Sequence, residues 1–412
     1  MSKTIKQAVI LAGGRGTRLM PLTRHCPKPM VKVNDIPFLQ VLLDELPGYG
    51  IERVVLLTGY LAGQIENYFG SQYGSLQIDY SRLPESADTG ERVWAARALF
   101  DEQFMLMYSD NYSRFSFTRH LENASPDAAL HLLVHPKSPG NLVLSKGRVM
   151  RYDGSRKDPE ARYVELGFML VDWQQLTPHI SASTKNFNEV IVDTIRHGKA
   201  SATITQPAYF SISDPDRLKL LARYLTPRKV ILIDRDGTIN QKAPRGEYVY
   251  RWEDFTFIDD TVTAMKRLAA QGFEFIVITN QAGIGRGLYQ REDVDRLHDR
   301  MITELAGQGV TVSAVYLCPH HWDAQCDCRK PAPGMFLRCE REHQLDLRHV
   351  IYIGDDPRDM QAAENAGTHG LFLHNGDDDM PSVDASLGTV SRLTDAVDDI
   401  IAFYQAQRPG AT

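Results

Sequence analysis

Cysteine is scarce in this chain, five residues among 412. Three crowd together as Cys318, Cys326 and Cys328, while Cys26 and Cys339 stand alone. So uneven a distribution argues against a disulfide framework. It points to a metal site in a reducing compartment, which makes the cytoplasm the expected location. Long hydrophobic runs are also missing. No apolar stretch approaches the ~18 residues of a membrane span, so no membrane partner is expected. The opening residues, Met1 to Gln7, are polar and lead straight into an apolar strand, unlike a signal peptide. Positive charge is not in excess: a formal net charge of -6 leaves no basic footprint for nucleic acid. What remains is ordinary globular material, 43% hydrophobic and 24% charged. Its length predicts roughly two or three domains.

Two segments read as fresh starts of an α/β domain. Ala8 to Leu11 is an apolar strand running into Gly13-Gly14-Arg15-Gly16. Lys229 to Ile233 is another, running into Asp234-Arg235-Asp236-Gly237-Thr238. Val54 to Leu57, Phe104 to Met107, Phe275 to Ile278 and Val350 to Ile353 are further short apolar runs that fit buried parallel strands. Helical spacing lies between them. Val294, Leu297, Met301 and Leu305 recur after an acidic start, and Val262, Met265 and Leu268 precede Gly272 as a C-cap. This alternation predicts two α/β domains, residues 1–225 and 226–412, each built on an open, mostly parallel, Rossmann-like sheet. The boundary is expected near Thr226-Pro227, after a helical Leu218 to Tyr224. The run Gly376-Asp377-Asp378-Asp379 reads as a solvated loop, and the tail after Arg408 as disordered.

The chemistry of the second half starts at Asp234 and Asp236. In extended backbone, positions i and i+2 share a face, and the carboxyl end of a strand is where open α/β sheets bind ligands. Two carboxylates there would repel a phosphate dianion unless a hard cation such as Mg²⁺ sits between them. One carboxylate can then attack phosphorus while the other protonates the leaving oxygen. Further strand ends supply Thr279-Asn280-Gln281 and Gly354-Asp355-Asp356, and Arg329-Lys330-Pro331 offers cations for a phosphoryl group. Cys318-Pro319-His320 is followed by Cys326-Asp327-Cys328. Cys318, His320, Cys326 and Cys328 suit a closed, structural Zn²⁺ site, with His321 as the one alternative for the imidazole.

The order of nucleophile, Thr, Lys and acidic pair resembles the haloacid dehalogenase-like phosphatases. The resemblance implies that Asp234 is the nucleophile and Asp236 the general acid/base. It implies that Thr279 and Lys330 hold phosphate, with Asn280, Gln281 and Arg329 beside the substrate. Mg²⁺ would be held by Asp234, Asp355 and the main-chain carbonyl of Asp236. The zinc loop running into Cys-Arg-Lys-Pro, with the stretches Asp234 to Asn240 and Thr279 to Gly287, resembles the heptose bisphosphate phosphatases more narrowly, over residues 228 to 375. These remove the 7-phosphate of D-glycero-D-manno-heptose 1,7-bisphosphate. Histidinol-phosphate phosphatases share the zinc loop and are the competing reading. At Asp356 the chain departs from the lysine that heptose phosphatases often carry.

In the first half, Gly13, Gly14 and Gly16 let backbone N–H groups approach phosphate oxygens, and Arg15 and Arg18 add charge. Lys28 stands between Pro27 and Pro29, on a stiff loop. Gly13 to Leu19, with Thr17 inside it, and Pro27 to Pro29 resemble the motifs of sugar-phosphate nucleotidyltransferases. The resemblance covers residues 7 to 220 and fades along the chain. It implies attack of a sugar 1-phosphate on the α-phosphorus of a nucleoside triphosphate, with Arg15, Lys28 and Mg²⁺ spreading the charge. Thr89 and Gly90 would contact the base, Asp110 would hold Mg²⁺, and Glu165 would contact the sugar. Two departures stand out. Ser211 replaces a second metal-binding aspartate, with Asp214 as a conceivable substitute. Tyr152-Asp153-Gly154-Ser155 lacks the lysine that grips the sugar phosphate, with Arg156 or Lys157 as candidates to replace it.

The product of a 7-phosphatase, heptose 1-phosphate, is the substrate of a sugar 1-phosphate nucleotidyltransferase. The combination is therefore expected to be a bifunctional enzyme of GDP-heptose synthesis, with GTP as the nucleotide. The alternative is a phosphatase joined to a nucleotide-sugar-binding module without turnover. Self-association into a homo-oligomer is left open. Trp94 and Trp322 are read as packing residues, Cys26 as a passive thiol and Cys339 as core.

Overall fold

The computed structural model describes residues 4–244, 246–374 and 385–407. The Gly376-Asp377-Asp378-Asp379 run and the tail after Arg408 lie outside the described residues. The chain divides into two compact units, Met1–Ala222 and Arg223–Thr412. Tyr224 falls in the second unit, where its buried hydroxyl donates to Glu340 at 2.7 Å.

The first unit is built on a ten-stranded sheet. Gln103–Tyr108, Gln7–Ala12, Arg53–Thr58 and Leu76–Arg82 lie side by side and run parallel. Their apolar residues are buried, as their lack of polar alternation requires. Beyond Gln103–Tyr108 the sheet changes character. The long strand Tyr163–Asp172 joins antiparallel and pairs with Leu130–Pro136, which is parallel only to Ala200–Ile204. Leu142–Ser145 and Arg148–Tyr152 form an antiparallel hairpin at the edge. The predicted mostly parallel sheet therefore holds for the four strands around Gln7–Ala12, and the other half is mixed. The cause is local. Lys146 and Gly147 both take positive φ, 48° and 76°, the backbone of a two-residue hairpin turn, which leaves no room for a crossover helix.

The second unit holds a six-stranded sheet in which every pairing is parallel. Its order is Val312–Cys318, Glu274–Asn280, Val230–Ile233, Ile351–Gly354, His369–Leu373, Thr389–Val390. Val230 and Leu232 pack into the core on one face, Ile231 and Ile233 into the core on the other. The helix Arg291–Gly307 buries Val294, Leu297, Met301 and Leu305, and Asp259–Ala270 buries Val262, Met265 and Leu268. Gly272, φ 84°, follows the latter as its left-handed stop. Cys339 is buried in the helix Gly334–His343. Because the chain builds outward from Val230–Ile233 first one way and then the other, the crevice opens at the carboxyl ends of the central strands. Among the described residues, no helix is long and apolar enough to cross a membrane.

Candidate active sites

Three neighbouring strands end together in the second unit. Val230–Ile233 delivers Asp234, Glu274–Asn280 ends in Thr279 and Asn280, and Ile351–Gly354 delivers Asp355. The helix Pro357–Ala366 adds Asp359, which the motif reading missed. Carboxylate oxygens of Asp234, Asp355 and Asp359 lie within 4.8 Å of one another, and all three residues are buried. Lys330, only 3% exposed, bridges two of them: Nζ is 2.8 Å from Asp234 Oδ1 and 2.7 Å from Asp359 Oδ1. It also donates to the Ile278 carbonyl at 3.0 Å and the Tyr352 hydroxyl at 2.8 Å. Burial pushes the Asp234 carboxyl up to about 8; Lys330 opposes the shift, and Asp359 and Asp355 reinforce it. Three buried carboxyl groups crowded around one buried ammonium resist ionising together, and a hard divalent cation among them would favour their charged forms, so the donor set fits such an ion. Lys242 reaches Asp355 Oδ2 at 2.9 Å from outside. Gly237, φ 91°, lies against the Asp355 carboxylate so closely that a Cβ would occupy the same space.

Asp236 stands outside this group. Strand geometry stops at Ile233, so the rule that i and i+2 share a face no longer governs it. Its carboxylate takes Arg235 Nη2 at 2.7 Å on both oxygens, Asn240 Nδ2 at 3.0 Å and Gln281 Nε2 at 2.9 Å. Burial alone would raise its carboxyl, but Arg235 and these donors outweigh burial and hold it below the ordinary value. Arg235, fully buried, also donates to the Val249 carbonyl at 2.6 Å and lies 3.0 Å from His298 Nε2. Burial and the Arg235 charge push His298 down to about 3, so it is neutral.

The amides predicted to meet substrate are largely spent on the protein. Asn280 clasps the backbone of Lys330, donating to its carbonyl at 3.2 Å and accepting its N–H at 3.1 Å. Gln281 donates to the Thr279 hydroxyl at 3.0 Å as well as to Asp236. Arg329 keeps Nη1 buried with no hydrogen-bond partner among the described residues, which leaves it available to an anion. Asp356 caps the last site helix and pairs with Arg358 at 2.6 Å. A hollow of about 600 Å³, lined by Lys242, Tyr248, Tyr250 and Arg251, is linked to the cluster of Asp234, Asp355 and Asp359 by the Lys242–Asp355 pair and is not lined by those three carboxylates themselves.

The thiol cluster closes on itself. Cys318 Sγ lies 3.6 Å from His320 Nδ1, 3.6 Å from Cys326 Sγ and 3.4 Å from Cys328 Sγ. Cys328 Sγ lies 3.1 Å from His320 Nδ1 and 3.5 Å from Cys326 Sγ. A tetrahedron with Zn–S of about 2.3 Å has edges near 3.7 Å, so the donor set fits Zn²⁺. His321 turns away and pairs with Asp323.

In the first unit a cleft of about 1030 Å³ opens beside the glycine loop. Gly13, Gly14, Gly16, Thr17 and Arg18 line it. Lys28 lines it too, with Nζ 2.6 Å from Asp110 Oδ2. Thr89 and Glu165 are in the wall; burial pushes the Glu165 carboxyl up to about 8. Arg15 and Gly90 are not lining residues. Arg15 packs over the Tyr60 ring at 5.2 Å and faces Glu85 at 3.7 Å. Gly90 instead docks its helix, its N–H meeting the Lys185 carbonyl at 2.6 Å. Arg92, unmarked in the sequence reading, is buried under the glycine loop and donates to the carbonyls of Thr58 at 2.6 Å and Pro84 at 2.7 Å. The ladder of Tyr209–Ser211 with Asn111–Ser113 brings Ser211 opposite Asn111. Asp214 is held by Arg217. Among the described residues, no group of three metal-donating side chains includes Asp110.

The sequence model of the family described as "Nucleotidyl transferase" matches residues 7–140, and that described as "Polynucleotide kinase 3 phosphatase" matches residues 229–374. A D-glycero-beta-D-manno-heptose-1,7-bisphosphate 7-phosphatase of Photorhabdus laumondii is 44% identical over 140 residues, 32% of this chain and 73% of the relative. The crystal structure of a D,D-heptose 1,7-bisphosphate phosphatase from B. bronchiseptica, complexed with magnesium and phosphate, is 31% identical. It covers 42% of this chain and 99% of its own, with a TM-score of 0.38. HddC from Yersinia pseudotuberculosis, complexed with GMP-PN, is 21% identical over 54% of this chain and all of its own, with a TM-score of 0.47.

Proposed function

Since this chain belongs, through its second unit, to the heptose-1,7-bisphosphate 7-phosphatase family and joins it to a nucleotidyl transferase domain, we propose that it runs two successive reactions. The second unit removes the 7-phosphate of D-glycero-D-manno-heptose 1,7-bisphosphate. The first transfers a guanylyl group from GTP to the resulting heptose 1-phosphate. The observation that carries the phosphatase reading is the buried Lys330 bridging Asp234 and Asp359 beside Asp355.

In the first step an Asp234 oxygen attacks phosphorus, the bond from phosphorus to the C7 oxygen breaks, and that oxygen leaves with a proton from Asp236. Water then gives a proton back to Asp236 and attacks phosphorus, which frees Asp234 and inorganic phosphate. At rest Asp236 is paired with Arg235. Its acid role therefore requires it to turn from the guanidinium and take up a proton as substrate binds. Lys330 and Arg329 neutralise the phosphoryl oxygens, and Thr279 donates to them. Mg²⁺, held by Asp234, Asp355 and the main-chain carbonyl of Asp236, would offset the charge of nucleophile and phosphate. Zn²⁺ on Cys318, His320, Cys326 and Cys328 would fix the loop that ends in Arg329-Lys330.

In the first unit an oxygen of the sugar phosphate attacks the α-phosphorus of GTP, and pyrophosphate leaves. Lys28 and the glycine-loop N–H groups carry the charge of the triphosphate, and Asp110 would hold Mg²⁺. Incubation of the purified chain with heptose 1,7-bisphosphate, GTP and Mg²⁺ tests both halves. Phosphate from C7 and GDP-heptose are expected, and absence of both rejects the reading. One observation favours a second reading, a nucleotide-sugar-binding module without turnover: Asp110 stands outside any described metal-donating group, and Ser211 adds no charge beside it. Pyrophosphate release with any sugar 1-phosphate rejects that alternative.

A further inference from the structure

The cleft of the first unit carries cations in two places, and the glycine loop explains only one. Arg18 and Lys28 belong to the glycine-loop end. Arg156 and Arg217 line the wall near Tyr152, Tyr209 and Ser211. Lys137 stands behind them; burial and the two arginine charges hold its ammonium below the ordinary value. Like charges gathered this way repel one another unless an anion joins them. Arg217 is only partly matched, with Nε 3.4 Å from Asp214 Oδ2 and Nη1 donating to the neutral Ser211 hydroxyl at 3.0 Å. Among the described residues, the Arg156 guanidinium and the Lys137 ammonium have no hydrogen-bonded or ion-paired partner.

The backbone at Arg156 points the same way. Its φ is 57°, a left-handed conformation that non-glycine residues avoid and that persists only where surroundings impose it. Here the Asp153 carboxylate imposes it. That group accepts the N–H of Ser155 at 2.9 Å, of Lys157 at 2.7 Å and of Asp158 at 2.8 Å, together with the Ser155 hydroxyl at 2.6 Å. The loop is thus locked in a form that holds an unpaired guanidinium at the cleft wall. Lys157, the neighbouring cation, is not a lining residue.

We propose that Arg156 and Arg217, backed by Lys137, form the binding site for the phosphate of the acceptor sugar 1-phosphate. The proposal rests on the transferase reading of the first unit. Guanidinium forks suit a phosphate monoester dianion because they bind two of its oxygens at once. Ser211 fits this arrangement, since a carboxylate in its place would draw the Arg217 charge away from the cleft.

Steady-state pyrophosphate release by the full chain tests it, with heptose 1-phosphate and GTP varied in turn. Arg156→Gln and Arg217→Gln are each expected to raise the KM for heptose 1-phosphate by about 10- to 100-fold, while the KM for GTP moves less than about twofold. Unchanged GTP binding by calorimetry reports that the first unit of each variant is folded. An unmoved acceptor KM, or an equal rise for both substrates, overturns the assignment. Should the unaltered chain release no pyrophosphate with any sugar 1-phosphate, the transferase reading itself fails. Calorimetric titration with heptose 1-phosphate then decides the site alone. A binding step lost in Arg156→Gln upholds it, and identical isotherms overturn it.

Discussion

Asp359 does two jobs at once. Oδ1 meets Lys330 at 2.7 Å and the Tyr352 hydroxyl at 3.0 Å, while Oδ2 accepts the N–H of Asp356 at 3.1 Å and so closes a capping box. It therefore aims Lys330 at Asp234 without facing the substrate itself. Asp359→Asn removes one of the two charges that hold the buried ammonium. The kcat for phosphate release is expected to fall about 10²- to 10³-fold with little change in KM, measured by steady-state kinetics. His298 supports Arg235 in a different way, as a buried neutral ring. Its folded value of about 3 lies below the ordinary 6.5, so the folded state binds fewer protons than the unfolded chain. Its contribution to stability is complete above pH 6.5 and is lost as pH falls toward 3. The loss is about 1.4 kcal/mol between about pH 7.5 and pH 5.5. Urea denaturation at the two pH values should show it, and His298→Gln should flatten the dependence by that amount. Sequence marked Asp234, Thr279 and Asp355 because each stands at the end of an apolar strand, and Lys330 because it is a cation at the end of the cysteine loop. It stopped at Asp356 and passed over Asp359, since only the turn of the helix brings Asp359 inward. Nor did it show that Arg235 draws Asp236 aside or that Arg15 lies over Tyr60, because charge in a sequence carries no direction.

At the scale of elements, the parallel strands were legible from unbroken apolar runs and the site from their carboxyl ends. The antiparallel half of the first sheet was not, because its strands alternate weakly and its hairpin turns on Lys146-Gly147, an inconspicuous pair. The loop between Val312–Cys318 and Gly334–His343 is a different kind of element, with too few apolar residues to fix its own shape. Its order rests on Cys318, His320, Cys326 and Cys328, and its far end carries Arg329 and Lys330. Cys326→Ser should reduce bound zinc from about one equivalent to none and lower phosphatase activity about 10- to 100-fold. Pyrophosphate release by the first unit should be unaffected. Metal analysis of the purified variant, with both assays run in parallel, checks this. Retained full phosphatase activity in a zinc-free protein would remove the loop from the account.

For the whole molecule, the proposed reading puts two activities in one chain at equal number, the product of one serving as the acceptor of the other. Each unit has its own cluster of charge, the buried Lys330 with three carboxylates in one and the half-buried Lys28 with Asp110 in the other. Loss of one should therefore leave the other reaction intact. The direct measurement is phosphorus NMR of the full chain and of Asp234→Asn, each given heptose 1,7-bisphosphate, GTP and Mg²⁺, and separately heptose 1-phosphate with GTP and Mg²⁺. The unaltered chain should yield inorganic phosphate, then pyrophosphate and GDP-heptose. Asp234→Asn should yield none of these from the bisphosphate, yet should still form GDP-heptose from the monophosphate. Undiminished phosphate release by Asp234→Asn, or no GDP-heptose from either protein in either mixture, would contradict the account.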